Sequence, residues 1–150
     1  MRSLWLLLAS AALGVAAVAV TQAHEDMDLP EGPVRDRHEL MEAVGKNAKA
    51  IGDALKAGET AKVSAPATAI AAAAKKVPAL FPAGSEHPKS RAKKEIWQEP
   101  EEFAALTKKL EDTANALAQT ASQGGDVGTA SKELFAACKA CHEKFRIPED

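Results

Sequence analysis

Tyrosine is absent from the 150 residues, and phenylalanine and tryptophan together make up only 4% of them. Few large rings are therefore available to fill an interior. The chain is nevertheless 46% hydrophobic. Much of that fraction is alanine, which buries little area per residue and makes a thin core on its own. Cysteine is almost missing too, since Cys138 and Cys141 are the whole thiol inventory. With no second Cys pair, a four-ligand zinc site cannot be completed. Excess charge of either sign is lacking, with a formal net charge of −2. That balance argues against nucleic acid as a partner and leaves no strong polybasic membrane patch. No segment alternates with period two over a useful length, so no sheet is expected. There is no internal repeat, and no low-complexity tract beyond the alanine-rich run 69–74.

What is present is concentrated near the end of the chain, in Cys138-Lys139-Ala140-Cys141-His142. Cys-x-x-Cys-His is the spacing of covalent c-type haem attachment. Two thiols add across the two vinyl groups of a porphyrin, and the histidine that follows takes one axial position on the iron. At i, i+3 and i+4 the three side chains project from one face of a helix, as a flat macrocycle lying along that helix requires. A thioredoxin-like site would need a strand–helix–strand pattern around it, and none is visible. A disulfide between i and i+3 would oppose helix geometry. A haem is also the large apolar slab that an alanine-built core needs.

The N-terminus reads as an export signal. Arg2 is followed by an apolar run from Leu4 to Val20 and then by Thr21-Gln22-Ala23, with small residues at both cleavage-recognition positions. The expectation is a signal peptide over 1–23, a flexible leader over 24–33 and a haem domain over 34–150. The run is slightly short for a comfortable membrane span, so no stable membrane insertion is expected after cleavage. Thioether attachment is chemistry of the exported, oxidising side of a membrane, and the two signals agree on a periplasmic protein.

The rest of the chain reads as four amphipathic helices. Val34, Met41, Val44, Ala48, Ile51 and Leu55 mark one apolar face up to Lys56, and Gly58 ends it. A second helix is expected between Thr60 and Val77, with Ser64 as cap before Pro66. Residues 78–99 form a long connection with three prolines, a basic cluster and apolar anchors at Phe81, Ile96 and Trp97. The third helix opens at Pro100, with Phe103, Leu106, Leu110, Thr113 and Leu117 as its seam, and Gly124-Gly125 breaks it. Asp126 caps the fourth, whose inner face is Val127, Ala130, Leu134, Cys138, Cys141 and Phe145. Short links and one long one predict an all-α, antiparallel four-helix bundle with the haem attached near its C-terminus.

With the attachment motif at the extreme C-terminus of a four-helix chain, the sequence resembles the class II c-type cytochromes, cytochrome c' and its low-spin relatives of the c-556 kind. The matching stretches are CKACHEKFR from Cys138 to Arg146, RHELM from Arg37 to Met41, and the Phe81-Pro82 and Ile96-Trp97 anchors. The resemblance implies one covalent haem c per chain, with thioether links at Cys138 and Cys141 and His142 as proximal iron ligand. It further implies Phe145 packed on the macrocycle, Arg146 near the proximal imidazole and Arg37 paired with a haem propionate. Members of the family are usually periplasmic and often homodimeric, and they act in electron transfer or bind small gases such as nitric oxide.

Three functions are then in competition. The main expectation is a one-electron carrier, serving redox partner proteins, whose haem is held between His142 and Met41, since a thioether ligand favours ferrous iron. The alternative is a five-coordinate haem that binds nitric oxide or carbon monoxide, with Met41 merely walling the distal pocket. An enzyme would need a distal acid–base histidine, for which His38 is the only candidate on the first helix. His38 and Met41 cannot both aim at one iron, and no enzyme is expected.

Overall fold

Proline and glycine divide the chain into its elements. The computed structural model describes residues 29–148, so the expected signal segment 1–23 and the first part of the leader lie outside the described residues. Helix α1, Pro33–Lys56, starts with a proline whose missing N–H costs nothing in a first turn. It ends before Gly58, whose φ of 71° is open to glycine at little cost. The end of the leader is not loose. Leu29 is buried, its carbonyl accepts from the Arg35 guanidinium, and Pro33 already belongs to α1.

A 3-10 turn over Thr60–Val63 leads into α2, Ser64–Ala74. Ser64 does not cap this helix. Its Oγ instead donates to the carbonyl of Ala118, 3.1 Å away on the third long helix. Helix α2 also stops short of Val77, and a 3-10 turn follows at Pro78–Leu80. A four-residue helix, α3, covers Glu95–Gln98. Helix α4 spans Pro100–Gln123 and ends on Gly124, in the left-handed conformation at φ 71°. Helix α5 spans Val127–Phe145. Its cap is Asp126, whose Oδ1 accepts from the Thr129 backbone N–H at 2.9 Å while Oδ2 accepts from the Thr129 hydroxyl at 2.7 Å.

Helices α1, α2, α4 and α5 are the four expected helices of an antiparallel bundle, and α3 is a short addition within the long connection. Among the described residues the only extended pairing is an isolated antiparallel bridge between Ala92 and Arg146. No described helix is long and apolar enough to cross a membrane.

The helices bury faces slightly rotated from those expected. On α4 the buried positions are Phe103, Thr107, Leu110, Ala114, Leu117 and Ala121, while Leu106 and Thr113 lie at the margin. The seven-residue repeat is kept, with Phe103, Leu110 and Leu117 common to both faces, but the intervening buried positions are small Thr107 and Ala114, one residue on from Leu106 and Thr113. On α5 the buried stripe is Val127, Ser131, Leu134, Ala137 and Phe145. Cys138 and Cys141 flank it, half-buried.

The interior has two parts. One is built of small and aliphatic residues, with Ile51, Val63, Ala67, Ile70, Ala114, Leu117 and Leu134 almost wholly buried. The alanines of α2 allow it to approach α4 closely, and this pair packs most extensively in the bundle. The second part gathers Val77, Ile96, Phe103 and Phe145, with Leu40, Met41, Phe81, Trp97, Leu106 and Cys141 against them. Helices α1 and α5, the first and last of the bundle, make little close backbone contact with one another.

Candidate functional site

The aromatic cluster stands beside the Cys-x-x-Cys-His motif because α5 ends there. Phe145, one turn after Cys141, is buried and meets Phe103 edge-on at 5.3 Å. Phe103 in turn meets Phe81 at 4.9 Å, and Phe81 lies 6.0 Å from Trp97. Edge-to-face pairs of this kind contribute about 0.5–1.5 kcal/mol each beyond burial. Three of the chain's four phenylalanines are thus collected at one end.

Cys138 and Cys141 are free thiols on that end of α5. Burial raises the pKa of Cys138. Burial, with the neighbouring Cys138, pushes Cys141 up to about 11. Both therefore rest as S–H at neutral pH, which slows their oxidation. His142 presents an exposed edge at the helix surface. Partial desolvation, then the charges of Arg146 and Arg91, hold its pKa below the ordinary histidine value. A neutral imidazole is the form that can ligate a metal.

Arg37 reaches this end from α1. It is buried, only 4% exposed, with its guanidinium 4.8 Å from the Phe81 ring and 5.7 Å from Trp97. Nη1 donates to the Leu80 carbonyl at 3.4 Å and the Ser85 hydroxyl at 3.1 Å. Nη2 donates to the Ser85 carbonyl at 2.9 Å and the Ser90 hydroxyl at 3.0 Å. The guanidinium thereby gathers the long connection around itself. Its fifth donor, Nε–H, is buried without a partner. Burial lowers its pKa while Glu86 acts in the opposite sense, and the group stays charged.

The rest of the connection forms a strap on the end of α5. The Lys93 N–H donates to the Phe145 carbonyl at 2.9 Å, and the Ile147 N–H donates to the Arg91 carbonyl at 2.8 Å. The Arg91 side chain grips the Ile147 carbonyl through Nε at 3.0 Å and Nη2 at 2.7 Å. Lys93 Nζ reaches the Glu143 carbonyl at 3.1 Å. Lys144 forms ion pairs with both Glu99 and Glu102 across the start of α4. Sequence reasoning missed Arg91, Lys93, Lys144 and the two serines. Arg91 and Lys93 belong to the basic cluster that was visible, yet nothing in its spacing shows which helix end it meets.

The residues fit a c-type haem. Two protonated thiols and a neutral imidazole share one helix face, α1 stands away from α5, and a buried guanidinium retains one donor for an anionic oxygen. The family model for cytochrome c' matches residues 32–146. The chain belongs to the cytochrome c' family. It is 38% identical to a cytochrome c' of Pararhodospirillum photometricum over 78% of this chain and 98% of that one. It is 36% identical to a cytochrome c-556 of Agrobacterium fabrum, covering 77% and 82% of the two chains. The crystal structure of cytochrome c' from Thermochromatium tepidum superposes with a TM-score of 0.71 at 32% identity, over 77% of this chain and 95% of that one. A cytochrome c' from Alcaligenes xylosoxidans, solved ferrous with bound NO, shares the fold at a TM-score of 0.70 and 20% identity, over 81% and 100% of the chains.

Family membership brings a covalently bound c-type haem, for which this chain has two cysteines. Proteins of this family carry electrons or small gases and are not enzymes. It also corrects the main functional expectation. Cytochromes c' are characteristically five-coordinate and high-spin, so a one-electron carrier with His142 and Met41 both on the iron does not stand. The physical reason lies in the packing. Met41 sits with Leu40 against the rings of the aromatic cluster, as a half-buried apolar side chain.

Proposed function

We propose that this cytochrome c' is an exported, five-coordinate haem protein that binds a small diatomic gas on the face opposite His142. What supports it best is membership of the cytochrome c' family; of the other described side chains able to ligate iron, two are histidines engaged along their own segments, and Met41 lies at the site as part of its apolar wall. Met41, the only methionine among the described residues, packs on the aromatic cluster. His38 pairs with Glu42 along its own helix at 3.7 Å. His87 Nδ1 accepts from the Lys89 N–H at 3.2 Å.

In this reading Cys138 and Cys141 anchor the cofactor. Their two thiols would hold the haem covalently, as thioethers to its two vinyl groups. His142 supplies the proximal nitrogen, and Arg146, one turn on, lies beside it. When bound, the haem supplies the iron that takes up the gas. Phe145 packs against the ring plane. Arg37 Nε–H would donate to a propionate oxygen, filling the one donor of this guanidinium that has no partner among the described residues. Met41 and Leu40 wall the gas-binding side with apolar surface, which keeps water away from the reduced iron and limits the size of what enters. Cleavage after Ala23 and homodimer formation belong to the same proposal, in line with the habit of the family.

The test is the optical spectrum of the reduced protein with and without carbon monoxide. A high-spin spectrum that converts on adding the gas is expected, and Met41→Ala should bind it faster because the wall recedes. A native low-spin spectrum that ignores carbon monoxide would overturn the proposal.

A further inference from the structure

The aromatic cluster accounts for three of the four phenylalanines, and the fourth, Phe135, belongs to neither apolar cluster. It lies on α5 at 36% exposure, and with Ile147 it is one of two large apolar side chains that the described residues leave open. Ile147 owes its place to its main chain, whose N–H and carbonyl are both held by Arg91. No bond of that kind explains Phe135, which stands in the middle of a regular helix. Its register supplies the reason. Cys138 follows it by three residues and His142 by seven, so the three side chains rise from one side of α5. Along the axis Phe135 stands about 4.5 Å from Cys138 and about 10 Å from His142. The two thiols divide between the two parts of the interior, Cys138 against the aliphatic part and Cys141 against the aromatic one. Cys141 has a ring one turn after it, the buried Phe145. Cys138 has a ring one turn before it, and that ring is the uncovered Phe135.

We infer that Phe135 is a positioning residue for the haem, its ring lying against the porphyrin edge beside the Cys138 thioether. The inference rests on Cys138, Cys141 and His142 being the attachment site, and it adds a residue to that site. A phenyl ring on a porphyrin is a contact between flat apolar surfaces, and it takes out of water a large side chain that the helix otherwise leaves open. It also shields the edge of the macrocycle there from solvent. Ferric iron carries more positive charge than ferrous iron, so a drier haem disfavours the ferric form and raises the reduction potential. Phe135 thereby favours the ferrous state, which is the state that takes up carbon monoxide.

The test uses the haem-loaded protein, reduced and saturated with carbon monoxide so that it is diamagnetic. Proton NMR should show the Phe135 ring protons displaced by the porphyrin ring current and joined by nuclear Overhauser effects to a haem methyl, both unchanged on dilution. Redox titration of Phe135→Ala should give a lower midpoint potential than the native protein, with covalent haem mass and helix content unchanged. Phe135→Leu, which keeps a large apolar side chain there, should restore most of the difference. Equal potentials in all three proteins would overturn the inference, as would a Phe135 ring without haem contact. A ring shift that disappears on dilution would assign Phe135 to a second copy of the chain and overturn it equally. A ferrous protein that is low-spin and ignores carbon monoxide is already diamagnetic, so the same contact is read there while the gas proposal alone fails. A chain without covalent haem would overturn the attachment site itself, and this inference with it.

Discussion

The two parts of the interior solve different problems. At the aliphatic end, small side chains let α2 and α4 approach until Ala67, Ala114, Leu117 and Leu134 are shut off from solvent. Nothing there needs a cofactor, and the order comes from close packing. At the aromatic end, rings meet edge-on, a buried arginine holds the connection, and an ion-paired lysine and a strap hold the helix terminus. Those polar fastenings hold the end of the bundle beside the motif to which the family's covalent haem is attached. The aliphatic part is ordered by close packing, and the aromatic part by rings and long-range polar bonds.

The largest test of that contrast removes the anchors. Replacing both Cys138 and Cys141 by Ala should leave a protein at its bare polypeptide mass after denaturation, with any haem extracted into acidified solvent. Hydrogen exchange should then rise strongly around Phe103, Phe145 and the strap, and little at Leu117 and Ala67. Uniform loosening of both ends would erase the distinction between them.

The reverse perturbation is next in size. Leu134→Ala opens a cavity in the aliphatic part and should cost about 2–5 kcal/mol in denaturant unfolding. The spectrum of the folded haem protein should change little, because Leu134 lies outside the aromatic cluster and reaches the attachment motif only through Cys138, which packs against the aliphatic part. A large spectral change at constant folding would mean that the two parts are mechanically one.

The smallest effect compares one carboxylate at each end. Bonds from the Thr129 N–H and hydroxyl hold Asp126 below the usual carboxylate range, and the Lys144 ammonium does the same for Glu99. Both folded-state values are depressed. Their stabilisation is therefore present above the unfolded value of about 4 and disappears as pH falls through the folded one. Thermal unfolding between neutral pH and pH 3 should show a modest loss from each. Added salt should weaken the Glu99 part, an exposed ion pair, more than the Asp126 part, a set of short-range hydrogen bonds. Equal salt sensitivity in Asp126→Ala and Glu99→Gln would contradict this division.

The amino-acid sequence by itself determined the class of fold, the bounds of α4 and the cap of α5, and the haem motif. Pro100, Gly124, Asp126 and Cys138-x-x-Cys141-His142 act within a few residues of themselves, through φ preference, a capping bond or spacing along one helix face. Tertiary structure decided the rest. Whether Thr107 or Leu106 faces inward on α4 depends on which helix lies against it, and Ser64 prefers a carbonyl of α4 to capping its own helix. Met41 carries a thioether suited to iron, but its role follows from the rings around it. Arg37 meets its acceptors across 43 to 53 residues of chain, and Arg91 grips Ile147 across 56. Bonds of that span join segments with no local pattern in common, and they form only when packing has already brought the ends of α1, α4 and α5 together.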